Sequence, residues 1–182
     1  MKDYSYLVQT ALECGAYNAC IIPTSAIVMN AEFRKICEAN QCGLFGRCWV
    51  CPPACGSVET LMRKVRSCDF GLLYQTVNSL EDSFDIEGMR AAKEEFTRLN
   101  LRLRKRIPGA KLRLGAGGCT LCESCAKPLG KPCRHPELAM IPMEGCGIDV
   151  YNTTKATPLK YINGQNTVTY FALMLFSEDE NA

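Results

Sequence analysis

The apolar positions of this chain change period several times, and each change marks an expected element. Tyr4, Leu7, Val8 and Ala11 recur at three- and four-residue intervals, the spacing of one helix face, with Asp3 as N-cap and Gly15 as a stop. Ile21, Ile22, Ile27 and Val28 fill an apolar stretch, Ala19–Met29, interrupted by Pro23. A proline lacks the ladder donor, so this stretch belongs on an edge or bulged strand. Ala31–Glu38 fits a short helical turn with Phe33 and Ile36 inward and Cys37 at its end. Ser57 caps a helix running to about Arg66, and Phe70–Val77 reads as a buried strand.

The longest helix is predicted to open at Ser79-Leu-Glu-Asp82, a capping-box pattern. Its apolar face is Ile86, Met89, Ala92, Phe96, Leu99, Leu103 and Ile107, and Pro108-Gly109 ends it. Lys111–Leu114 reads as a short strand, Glu137–Cys146 as a weak helix closed by Gly147, and Asn163-Gly164 as the turn of a hairpin whose last strand is Thr167–Ser177. Periodicity vanishes in two stretches, at about residues 37–56 and 115–136, where Gly, Cys and Pro take over. The pattern predicts an α+β fold. A single domain spans residues 1–182, with a mostly antiparallel sheet, helices packed on it, and two cysteine-rich metal-binding loops.

The second of these loops carries Cys119-Thr-Leu-Cys122-Glu-Ser-Cys125, followed by Cys133-Arg-His-Pro136. Three thiols at x2 spacing let one backbone turn present several sulfurs to a single centre, and a fourth closes the shell. The run resembles the bacterial ferredoxin motif C-x2-C-x2-C-x3-C-P, with a longer gap before Cys133 and the proline displaced to Pro136. Zinc sites more often pair two separated C-x2-C knuckles around one ion, so iron–sulfur ligation is the first reading and zinc the alternative. The first loop holds five thiols, Cys37, Cys42, Cys48, Cys51 and Cys55, with Pro52 fixing the backbone after Cys51. Gly43 and Gly46 let the backbone approach inorganic sulfide closely.

Taken together, Cys37…Cys42-Gly-Leu-Phe-Gly46…Trp49-Val-Cys51-Pro-Pro, Gly118-Cys119…Cys122…Cys125…Cys133-Arg-His-Pro136 and Met143-Glu144…Gly147-Ile-Asp-Val150 resemble the family of predicted metal-binding proteins known as domain of unknown function 2284. The resemblance implies cysteine-bound metal, with Cys37, Cys42 and Cys51 as ligands in the first loop. The fourth position there falls to Cys48, to Cys55, or to an exchangeable ligand. The x2 bite to Cys51 favours Cys48.

Two [4Fe-4S] clusters are therefore expected, one on Cys119, Cys122, Cys125 and Cys133 and one on Cys37, Cys42, Cys51 and Cys48. They would serve electron transfer to or from a redox partner protein. An oxidoreductase with an open iron in the first loop and a zinc-binding structural or sensing module are the alternatives. Cys14, Cys20, Cys68 and Cys146 lie beside apolar segments and read as small core hydrophobes, Cys146 being the reserve ligand.

The remaining features narrow the class. Thirteen cysteines in 182 residues, behind an N-terminal stretch with no signal-peptide core, point to a reducing cytoplasm. Ala19–Met29 and Val168–Phe176 fall well short of the ~20 apolar residues of a membrane span. A net charge of +2 gives no field for nucleic acid, and the basic run from Arg98 to Arg113 sits at a helix C-terminus, where cations complement the helix dipole without aromatic partners. Gly115-Ala-Gly-Gly118 runs into cysteines instead of opening a helix, so it is no dinucleotide fingerprint. His135 is the single histidine, read as a donor near Cys133 or a turn residue; Trp49 is expected to shield the first site.

Overall fold

The computed structural model describes residues 3–178. In chain order its elements are α1 (Ser5–Glu13), β1 (Asn18–Pro23), α2 (Phe33–Glu38), α3 (Val58–Arg66), β2 (Phe70–Ser79), α4 (Ile86–Arg106), β3 (Leu112–Gly115), β4 (Ile141–Pro142), α5 (Val150–Thr154) and β5 (Thr167–Phe176). The fold is α+β. The strands form one sheet in the order β1-β2-β5-β3-β4, antiparallel except for the β3–β4 pair.

The central pair, β2 and β5, runs in register from Phe70 opposite Phe176 to Ser79 opposite Thr167. Because side chains alternate across a strand, each of these near-continuous apolar runs feeds two cores. Leu72, Tyr74, Ala172, Met174 and Phe176 pack with Tyr4, Leu7 and Ala11 of α1 and Phe96, Leu99 and Leu103 of α4. Leu73, Phe171, Leu173 and Leu175 pack on the opposite face with Leu61 and Val65 of α3 and with Met143, Cys146 and Ile148. The Tyr4 ring stacks on Phe70 at 3.9 Å, and Phe70 on Phe176 at 5.2 Å. Much of the basic run is used inside the fold. Arg106 pairs with Glu13 at 3.1 Å, Arg102 donates to the Cys14 carbonyl at 3.0 Å, and Arg113 donates to the Ile107 carbonyl.

Several local expectations shift for physical reasons. β1 ends at Pro23 and a tight turn follows, so Ile27 packs into the second core from a loop. β2 extends to Ser79, which pairs with Thr167 and is unavailable as a helix cap. Asp85 caps α4 instead, its carboxylate accepting from the Gly88 N–H at 2.8 Å. On α1 the Asp3 carboxylate accepts from Ser5 N–H, and Tyr4 holds the cap position. On α2 the buried side chain is Arg34, whereas Ile36 is 61% exposed. Residues 137–146 form β4 and a short turn of helix, Met143–Cys146, closed by Gly147 at φ +72°. Gly164 does make a turn, but both edges of β5 are taken by β2 and β3, leaving no place for a hairpin partner. No helix among the described residues is long and apolar enough to cross a membrane.

The two rival caps of α4 are separable by urea unfolding. Asp85→Ala is expected to lower stability by about 1 kcal/mol and Ser79→Ala by less than about 0.5 kcal/mol; equal losses would contradict this assignment.

Candidate metal centre

The first cysteine loop leaves α2 just after Cys37 and enters α3 at Ser57, whose hydroxyl accepts from Thr60 N–H. Between these anchors the chain folds on itself, with Phe45 N–H donating to the Asn40 side chain at 3.0 Å and Gly46 N–H to the Pro52 carbonyl at 2.8 Å. The stretch from Cys48 to Cys55 is wound by bonds from Cys51 N–H to the Cys48 carbonyl and from Cys55 N–H to the Cys51 carbonyl. These turns bring the Cys51 sulfur against that of Cys48. The fields of Cys42 and Cys55 reach both Cys51 and Cys37.

The second loop leaves β3 at Gly115 and returns into β4 at Ile141. Three contacts seat it on the first loop. Leu44 packs so tightly over Gly118 that a methyl group there would lie 2.2 Å from Leu44 Cδ1. The Trp49 indole donates to the Lys131 carbonyl at 3.0 Å, with the Lys127 ammonium 4.8 Å from its ring centre. Cys48 and Val50, both buried, form with Cys51 a small core that also takes in Cys119 and Cys125. Cys48, Cys119, Cys122, Cys125 and Cys133 line one cavity, with Trp49 and His135 in its wall.

The thiols thus divide differently from their order in the sequence. Cys48, grouped by its x2 spacing with Cys37, Cys42 and Cys51, faces the cavity of the second loop while still touching Cys51. Cys55 lies near Cys37 and Cys51, and its field reaches both. Trp49 likewise walls the second-loop cavity. The His135 carbonyl accepts from Leu138 and Ala139 N–H, so its backbone makes the turn while its ring faces the cavity.

Electrostatics follow this division. A hydrogen bond from the Cys51 thiol, reinforced by the N–H groups of Cys119 and Val50, brings Cys48 down to about 5. The same shared proton, together with burial, pushes Cys51 well up. Burial raises Cys37 and Cys55, and the neighbouring Arg34 guanidinium opposes it at both. Arg34 is 8% exposed; it donates to the Gly56 carbonyl at 2.8 Å and points at Cys55 Sγ at 3.8 Å, leaving its Nε buried without a partner. The Glu144 carboxyl is raised by burial, although its own and the Gly117 N–H groups bond to it, and its Oε2 has no partner. Arg34 is not legible as a site residue in sequence, because it sits alone in an unremarkable segment, whereas Glu144 lies in the Met143–Val150 stretch that carries the family resemblance. Asp149 is accounted for by capping α5.

Other cysteines keep to the cores. Cys14 lies in the first, and Cys68 and Cys146 in the second, with Cys20 packed against it. Burial pushes Cys20 up to about 11 and Cys146 up to about 12. All thirteen cysteines are free thiols. Among the described residues, no three Cys, His, Asp or Glu side chains are posed as ligands of a single ion.

An α+β frame carrying two docked loops rich in thiols, with N–H donors aimed at sulfur, has the donor chemistry of a metal-binding protein. The model of the family described as predicted metal-binding protein, domain of unknown function 2284, matches residues 20–176, and the chain belongs to that family. No curated protein and no solved structure matches the chain.

The seating of the loops is open to test. Gly118→Val is expected to lower metal content while leaving the far-ultraviolet circular dichroism unchanged, and adding Leu44→Ala is expected to restore the metal. Full metal content in Gly118→Val would show that the Leu44 contact does not hold the loops.

Proposed function

We propose that this protein is an iron–sulfur electron carrier with two adjacent [4Fe-4S] centres, one in each cysteine group. Cys37, Cys42, Cys51 and Cys55 would hold the first. Cys48 joins Cys119, Cys122, Cys125 and Cys133 around the second, which gives that cavity one thiol more than four irons need. The observation that carries this reading is the contact of Cys48 with Cys51, which puts the two groups wall to wall. Four-iron clusters bound there would supply single-electron transfer.

The chain's own residues do the rest. N–H groups of Cys119 and Val50 reach Cys48 sulfur, the kind of donor that stabilises a thiolate and tunes a cluster. Arg34 brings a buried positive charge to the first group. Val50, Leu44, Ala139 and Ile141 keep water from the junction. Cys42 and Ile36 are exposed beside the first group, offering a surface where a redox partner protein can approach. Thirteen free thiols suit a reducing compartment, in keeping with the cytoplasm.

Protein purified without oxygen is expected to hold about eight irons and eight sulfides per chain, four of each per cluster. Cys55→Ala is expected to remove the first cluster and leave about four irons. Cys48→Ala is expected to disturb the second cluster before the first, seen as altered spectra of one reducible species. Zinc at one or two equivalents with no reducible colour would overturn the proposal in favour of a zinc module. Arg34→Met is expected to shift the first centre's reduction potential to more negative values, because a lost cation no longer favours the more negative reduced form. An unchanged potential would assign Arg34 to packing alone.

A further inference from the structure

A narrow cleft lies between α4 and the second cysteine loop. Its inner part is lined by Lys93, Thr97, Leu101 and Arg104 of α4, which succeed one another on one helix face, and by residues 115–121 opposite. Phe96, Leu138 and Met140 give it an apolar end. Thr97 and Thr120 hydroxyls meet across it at 2.7 Å, and Cys119, a ligand in the reading above, forms part of its wall.

No carboxylate lines this inner part. Lys93 donates to the Ala116 carbonyl and sits 4.9 Å from the Phe96 ring centre and 5.3 Å from that of Tyr170. Among the described residues neither Lys93 nor Arg104 takes part in an ion pair. Glu144 acts on Lys93 through its field, but it does not line the cleft. Glu94 and Glu123 appear only in the outer part, where Arg90 and Arg98 accompany them. Burial disfavours the charged form of Lys93, and an anion in the cleft would offset that cost.

We infer that this cleft is a binding site for a small organic anion, a carboxylate with a flat apolar body, held by Lys93 and Arg104 with its body against Phe96, Leu101 and Met140. Such a ligand would lie against the wall formed by Cys119 and so beside the second metal centre. Only this adjacency rests on the cluster reading; the anion site itself does not.

The test is isothermal titration calorimetry on the metal-loaded chain with benzoate, phenyl phosphate and the neutral isostere benzamide. Saturable binding of benzoate without binding of benzamide is expected. Lys93→Met and Arg104→Met are each expected to weaken benzoate about tenfold or more, as befits loss of a charge-assisted hydrogen bond, whereas Arg134→Met leaves it unchanged. Phenyl phosphate binding more tightly than benzoate would overturn the carboxylate assignment. Equal behaviour of benzoate and benzamide, or undiminished binding in both Lys93→Met and Arg104→Met, would overturn the inference. Circular dichroism of each variant separates lost binding from lost folding. The calorimetry reads anion binding whether the chain holds iron or zinc, so a failed cluster assignment would show in the metal content and not here.

Discussion

The contact in which Cys48 receives the Cys119 N–H while touching Cys51 ties the two cysteine loops together, and the rest of the site depends on it. Neither loop has a periodic apolar face, so neither can be held by packing on the sheet alone. Each is instead anchored at both ends, the first by α2 and α3 and the second by β3 and β4. The middles are joined to each other through Leu44 over Gly118, Trp49 on Lys131, and the buried Cys48–Val50–Cys51 core, and to the helices through Thr97 on Thr120 and Arg34 on Cys55. The sheet's task is therefore placement. Leu114 on β3 pairs with both Leu173 and Ile141, which aligns the exit and return of the second loop on one sheet edge.

Gathering so many thiols has an electrostatic consequence. The hydrogen bond to Cys48 raises Cys51, and burial raises Cys37, Cys55 and Cys119, so these groups resist ionisation in the absence of metal. Metal binding must then displace protons as it forms thiolates, which couples loop assembly to loading. Arg34 lessens the repulsion among the resulting charges at the first group. The Arg34 guanidinium, 8% exposed, bonds the Gly56 carbonyl and its field reaches Glu59, and it would suit an anionic centre at the first group.

The frame was legible in the sequence where apolar spacing was long and regular. The Phe96, Leu99 and Leu103 stripe and the β2 and β5 runs reach the cores as their periods imply. Legibility failed where one residue's role depended on tertiary context. The Ser79-x-x-Asp82 pattern lost to Asp85 because strand pairing claimed Ser79, and Ile36 was displaced by Arg34, whose guanidinium finds Gly56 and Cys55 only after the loop closes. In the site, the cysteines were plain from composition, but the cavity that gathers Cys48 with Cys119, Cys122, Cys125 and Cys133 was not. Spacing joins Cys48 to Cys51 as neighbours in one chain, and the two stay in contact in one small core, but of the two only Cys48 lines the second-loop cavity. Lys93 and Arg104 looked like ordinary helix charges until the second loop covered them.

The central claim is that two metal clusters stand wall to wall across Cys48 and Cys51. Electron paramagnetic resonance of the fully reduced protein tests it most directly. The account predicts a broadened, split spectrum from two interacting paramagnetic clusters, collapsing to a single simple signal when Cys55→Ala removes the first. Two independent unsplit signals in the fully reduced protein, or no cluster signal at all, would contradict it.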